Sequence, residues 1–172
     1  MKAAPSDLPP AALLHRYRDS GAYTDCYFTE VPQRISHAQY VEAFYTTSVF
    51  KLERQLLKWF VSKPSTDAQA HLLARGELDS FAAWTVENRD VDQLLMADFM
   101  GRTKSWLMVA PAGTAGTRLY FGSAVVPVRG ESGERTLGSP FDALLGFHKL
   151  YSRVLLNAAA ARISNGPATT VT

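Results

Sequence analysis

The sequence predicts a single α+β domain in which an antiparallel sheet packs on one long C-terminal helix, with helices inserted after the first strand. Three observations predict this class. Strand-like runs with short polar connections occupy residues 81–126, as in an antiparallel meander. Helical periodicity dominates residues 36–75, and a capped amphipathic segment occupies residues 139–163.

Composition excludes several classes of protein. The 172 residues are 47% hydrophobic and 20% charged, which is typical of one globular domain. The net charge is only +2 and the basic residues are scattered, so no nucleic-acid partner is expected. Charged residues interrupt every apolar run, which argues against a membrane span. A lone cysteine, Cys26, and the lack of an apolar leader predict a soluble, cytoplasmic protein.

The chain divides into three parts. Residues 1–22 predict a loose Pro- and Ala-rich tail followed by a short helix between Ala11 and Arg18. Residues 23–164 form the single α+β domain. Residues 165–172 predict a disordered tail.

The front of the domain has the clearest local signals. Tyr23–Val31 is rich in aromatic and β-branched residues and predicts the first strand. Ser36 and Gln39 have the spacing of a capping box, which predicts a helix from His37 to about Tyr45. Apolar residues at helical spacing predict two more helices, at Val49–Val61 and Thr66–Arg75.

The second half of the domain is predicted to consist of strands followed by one long helix. Four strands are predicted, at Phe81–Asn88, Gln93–Phe99, Thr103–Ala110 and Thr117–Val126. Ser139 and Pro140 then begin a helix that extends to about Ile163. Its predicted apolar face consists of Phe147, Leu150, Tyr151, Val154, Leu155 and Ala158.

This order of strand, helices, meander and long helix over residues 23–163 resembles the START-like, or SRPBCC, helix-grip superfamily. The resemblance is topological, and the chain departs from that pattern by a third front helix and by four rather than six later strands. It implies a cavity between sheet and last helix that holds a lipid, sterol or aromatic compound, or that catalyses a cyclisation. No catalytic residue is carried over, because fold-level analogy does not specify chemistry.

No motif specifies a reaction, metal or cofactor. The four histidines, His15, His37, His71 and His148, lack the spacing that presents two metal ligands from one helix. Cys26 has no neighbouring base, which favours packing over nucleophilic catalysis.

Two carboxylates on consecutive predicted strands remain ambiguous. Glu87 and Asp98 supply a general acid or base if they point inward, and form cross-strand ion pairs if they point outward. The outward arrangement is favoured, since charges on sheets are usually solvated.

Both alternating sets of residues are apolar in the central strands. Trp106 and Met108 fall on one side of their strand, while Leu107 and Val109 fall on the other. The last helix covers one side. The other requires the front helices, a second subunit or an apolar ligand.

These observations favour binding over catalysis. The leading hypothesis is a small apolar or aromatic ligand in a pocket of roughly 300 Å³ or more between sheet and last helix. One alternative is a cyclase- or hydratase-like enzyme that uses His148 or Asp98 in the same pocket. Another is a homodimeric or partner-binding module. The expected lining residues are Trp84, Trp106, Tyr120, His148 and Tyr151.

Overall fold

The protein is built around a seven-stranded antiparallel sheet. The computed structural model describes residues 2–50, 65–129, 135–136 and 139–165, with the backbone alone between residues 128 and 149. The strands of the sheet are β1 Ala4–Pro5, β2 Tyr23–Val31, β3 Ser80–Phe81, β4 Trp84–Asp90, β5 Gln93–Asp98, β6 Thr103–Ala112 and β7 Gly116–Val125. Their order across the sheet is β1-β2-β7-β6-β5-β4-β3. A separate small sheet pairs β8 (Val128–Arg129) with β9 (Arg135–Thr136).

Four helices lie within the described part of the chain with both of their ends. They are α1 His15–Asp19, α2 His37–Tyr45, α3 Asp67–Ala74 and α4 Ser139–Asn165. The α+β class, the helices after the first long strand and the C-terminal helix on the sheet are confirmed. None of the described helices is both long and apolar enough to cross a membrane.

The helix boundaries follow from local capping. The Ser36 hydroxyl accepts from the Gln39 amide at 3.2 Å, and the Gln39 side chain accepts from the Ser36 amide at 2.7 Å, so the predicted capping box is present. Thr66 and Gln69 form the same motif at α3. Of the predicted helix Val49–Val61, residues 48–50 are helical, and residues 51–64 lie outside the described part.

The run predicted as one strand from Phe81 is two strands. β3 and β4 pair with each other, Phe81 opposite Trp84, so the chain reverses at residues 82–83. Ala82 has a φ of 54°, a left-handed conformation that is rare for residues other than glycine and that permits the tight turn. A bulge at Glu87 then disturbs the register between β4 and β5.

One side of the sheet, here called the helix face, packs against α2, α3 and α4. Aromatic and aliphatic side chains from both layers form one buried cluster. Its sheet residues are Tyr27, Val31, Phe81, Leu94, Met96, Leu107, Leu119 and Phe121. Its helical residues include Tyr40, Phe44, Leu73, Leu155, Leu156 and Ala159.

The predicted apolar face of α4 is rotated from the observed one. Leu150 and Val154 are 59% and 40% exposed. The stripe that faces the sheet includes Ser152, Leu155 and Leu156, all nearly inaccessible to solvent. A helical wheel ranks residues by polarity, whereas the contact surface is set by how the helix sits on the twisted sheet.

The opposite side of the sheet, the outer face, is covered by residues 6–22, here called the N-terminal strap. Ala12 and Leu14 of the strap are buried in a second apolar cluster. The sheet contributes Cys26, Leu95, Trp106, Met108, Tyr120 and Ala124 to this cluster. The strap therefore provides the cover that the two-sided apolar pattern required.

The prediction of a loose tail at residues 1–10 was wrong. Ala4 and Pro5 pair with Phe28 and Tyr27 of β2. The Ala3 amide also donates to the Asn157 side chain of α4 at 2.7 Å. Proline is tolerated here because the pairing is at the edge of the sheet. At the other end, Asn165 is still helical, and residues 166–172 lie outside the described part.

Candidate ligand-binding cavity

A cavity of about 170 Å³ lies between the helix face and α4. The sheet contributes residues from β4, β6 and β7, and the helical layer contributes residues from α2, α4 and residue 50. The lining consists of Phe44, Phe50, Trp84, Thr103, Lys104, Ser105, Phe121, Ser123, Tyr151, Ser152 and Leu155.

The walls of the cavity are mainly aromatic. Phe44 stacks on Phe121 with ring centroids 5.1 Å apart, and Phe50 lies 6.1 Å from Phe44. Trp84 and Tyr151 are partly buried and pack at the margin of the same cluster. Aromatic side chains offer large, rigid apolar surfaces, so this wall suits a flat apolar group.

A row of small polar residues crosses the sheet at the cavity. Asp25 of β2, Ser123 of β7 and Ser105 of β6 are register partners on three adjacent strands. The Ser123 amide and hydroxyl donate to Asp25 Oδ1 at 3.1 and 2.6 Å. Ser105 and Ser123 are both more than nine-tenths buried. The cavity thus combines apolar walls with a few fixed polar groups, as small-molecule sites do.

The five expected lining residues are divided between the two faces. Trp84 and Tyr151 line the cavity. Trp106 and Tyr120 lie on the outer face under the strap, with ring centroids 6.2 Å apart. The backbone of His148 belongs to α4, and its side chain lies outside the described part. Trp106 and Tyr120 therefore cannot contribute to this cavity.

The sequence interpretation missed the three serines and the three phenylalanines of the lining. Strict alternation places Ser105 with Leu107 and Phe121 with Ser123, so a signal was present. Alternation does not say which set faces the helices. Trp106 and Tyr120 were predicted to line the cavity because they are aromatic, but they belong to the set of side chains on the outer face.

Neither Glu87 nor Asp98 is among the residues that line the cavity. Glu87 is on the outer face, where its carboxylate accepts from Lys104 Nζ at 2.7 Å, from the Tyr17 hydroxyl and from Arg16 at 3.1 Å. Burial opposes ionisation of Glu87, but the hydrogen bonds from Lys104 and Tyr17 outweigh it and lower its pKa. Asp98 accepts from the Arg102 amide at 2.7 Å and caps the β5–β6 turn.

Cys26 and metal chemistry gain no support from the described residues. Burial, helped by the charges of Asp25 and Asp7, raises the pKa of Cys26 to about 12, so the thiol stays protonated. The described part of the chain contains no group of three or more histidine, cysteine or carboxylate side chains close enough to share a metal.

A larger cleft of about 340 Å³ lies near the β6–β7 hairpin, and two of its polar side chains, Arg34 and Thr117, are hydrogen-bonded within the protein. Arg34 donates to the Thr114 carbonyl at 2.8 Å. Thr117 donates to the Gln33 carbonyl at 2.9 Å and accepts from the Ile35 amide at 3.1 Å. These bonds fix the chain after β2, so we assign the cleft a structural role.

Comparisons with known proteins give no function. No family model and no curated protein matches the sequence. Among solved structures, CalU16 from Micromonospora echinospora superimposes with a TM-score of 0.41 at 12% sequence identity, covering 96% of this chain and 84% of that chain. A TM-score this low supports no inference about function.

Proposed function

We propose that this protein binds a small apolar or aromatic molecule in the cavity between the helix face and α4. The observation that carries the proposal is the combination of an aromatic wall with buried hydroxyl groups at one cavity. The location is the one implied by the helix-grip resemblance, which adds support through topology alone.

The cavity limits the size of the ligand. Its volume of about 170 Å³ is smaller than the pocket expected from the sequence. Apolar protein cavities of roughly 150 Å³ hold one benzene molecule. The ligand that fits is therefore a single aromatic ring or a compound of similar size.

The two alternatives are less well supported. The dimer hypothesis arose from an apolar sheet face without a cover, and the strap supplies that cover. The enzyme hypothesis named His148 or Asp98 as the titratable group in the pocket. Asp98 is engaged in the β5–β6 turn, and the side chain of His148 lies outside the described part. Binding without catalysis remains the simpler proposal.

Titration with toluene, followed by amide NMR shifts, tests the proposal. Saturable shifts are expected at Ser105, Phe121 and Leu155, with smaller changes on the outer face. Leu155→Phe should abolish them, because the larger ring fills the cavity. Val154→Phe is the matched control, since Val154 precedes Leu155 on the same helix but is 40% exposed.

Thermal unfolding gives a second readout. Saturating toluene should raise the Tm of the wild type and of Val154→Phe, because a ligand that binds only the folded state stabilises it. It should not raise the Tm of Leu155→Phe. Absence of saturable shifts in the wild type, or unchanged binding in Leu155→Phe, would contradict the proposal.

A further inference from the structure

Of the three serines that line the cavity, Ser105 and Ser123 lie on the sheet, and they differ in their hydrogen bonding. Ser123 directs its hydroxyl proton at Asp25 Oδ1, 2.6 Å away, and so cannot donate to a ligand in that arrangement. Ser105 is its register partner on β6 and also lines the cavity. Among the described residues, the Ser105 hydroxyl makes no hydrogen bond.

The Ser105 hydroxyl is accessible from the cavity and is not fully enclosed by protein. The residue as a whole is 7% exposed, so bulk water has little access to it. Leaving such a donor unsatisfied is unfavourable, and an acceptor atom placed next to it removes that cost. A ligand with an oxygen at this point gains more than a hydrocarbon of the same shape.

The charged groups near the serines restrict the form of that oxygen. Lys104 also borders the cavity, but its ammonium group is on the outer face, bound to Glu87. On the cavity side, the Asp25 carboxylate lies in the same row as both serines. A neutral oxygen substituent suits this surrounding better than an anionic one.

We infer that Ser105 determines ligand specificity by donating a hydrogen bond to a neutral oxygen substituent on a single aromatic ring, as in a phenol or an aryl ketone. This inference rests on the proposed function and adds the chemical class of the ligand. The ring packs against Phe44, Phe121 and Trp84, and its oxygen lies at Ser105.

Phenol and toluene form a matched pair of probes, because a hydroxyl replaces a methyl group of similar size. The ratio of their dissociation constants is measured by NMR titration in the wild type and in variants. Comparing ratios between proteins cancels the different hydration of the two compounds. Ser105→Ala should reduce the preference for phenol by about 5-fold, the typical effect of one neutral hydrogen bond.

Two further variants isolate the Ser105 hydroxyl. Thr103→Val removes a hydroxyl from a neighbouring cavity residue on the same strand and should leave the ratio unchanged. Ser105→Cys keeps the shape with a weaker donor and should give an intermediate ratio. If both probes bind but Ser105→Ala keeps the wild-type ratio, the inference is overturned while the proposed function stands. If neither probe binds the wild type, both are overturned.

Discussion

The two faces of the sheet are closed in different ways. The outer face is covered by the strap, whose one helix has five residues. The helix face is covered by helices, and a cavity remains between the layers. Helices are straight cylinders and cannot follow a twisted sheet everywhere, whereas an irregular segment adjusts residue by residue. In the described part of the chain, the cavity of about 170 Å³ lies under the regular cover, on the helix face.

Polar side chains of the sheet attach the strap. Gln93 accepts from the Leu13 amide at 3.0 Å and from Trp106 Nε1 at 2.9 Å, and donates to the Ala11 carbonyl at 2.9 Å. Glu87 binds the strap through Tyr17 and Arg16. These bonds satisfy backbone groups that a helix would satisfy internally.

The comparison predicts that the two described tryptophans contribute unequally to stability. Trp106 is 0% exposed on the filled outer face, and Trp106→Ala should lower the free energy of unfolding by about 3–5 kcal/mol. Trp84 is partly exposed at an existing cavity, so Trp84→Ala should cost less than about 2 kcal/mol. Urea denaturation measures both. Equal losses would show that the outer face is not the better packed of the two.

Lowering the pH is expected to reduce the free energy of unfolding through a histidine of the helical layer. Burial lowers the pKa of His37, the first residue of α2, to about 4, with smaller opposing effects from the Leu107 backbone and Asp92. Between the unfolded value of 6.5 and about 4, only the unfolded chain takes up this proton, so stability falls as pH decreases through that window. The expected loss is about 2–3 kcal/mol.

His37→Gln is the control for this pH dependence. It should flatten the stability profile over that window in chemical denaturation. Glu87, whose pKa is below its ordinary 4.5, stays ionised through most of the same window. A profile unchanged by His37→Gln would assign the acid sensitivity to another group.

A substitution at Gly122 tests how closely the strap packs on the sheet. A Cβ at Gly122 would lie 2.8 Å from Leu14 Cδ1 of the strap and 2.9 Å from both the Asp25 carbonyl and Trp106. Gly122→Ala should therefore cost about 1–3 kcal/mol and speed amide exchange over residues 8–17. Ser123→Ala, on the helix face, should leave that exchange unchanged. Faster strap exchange in both variants would argue against a face-specific effect.

The smallest expected effect concerns the ion pairs of Glu87. Lys104 is 7% exposed, whereas Arg16 is 56% exposed. A double-mutant cycle with Lys104→Met and Glu87→Gln should give a coupling of about 1 kcal/mol that persists at high salt. The same cycle with Arg16→Gln should give less than about 0.5 kcal/mol and decline with salt. Equal salt sensitivity would contradict the difference in burial.

Local signals determined much of the fold. The bounds of β2 and α2 followed from a β-rich run and a capping box, because these depend on neighbours in sequence. Alternation in β6 and β7 correctly separated Trp106 and Met108 from Leu107 and Val109. The sequence by itself therefore determined most of the long elements and the existence of two apolar faces.

Only the tertiary structure decided what covers each face. A period of two sorts side chains into two sets without saying which set meets the helices, and Trp106 and Tyr120 were assigned to the wrong side for that reason. The sequence of the strap shows no helical or strand periodicity. Its conformation depends on long-range hydrogen bonds such as those to Gln93, which a sequence pattern does not reveal. The position of the cavity likewise depends on how α4 sits on the sheet, and that position is a property of packing between distant segments.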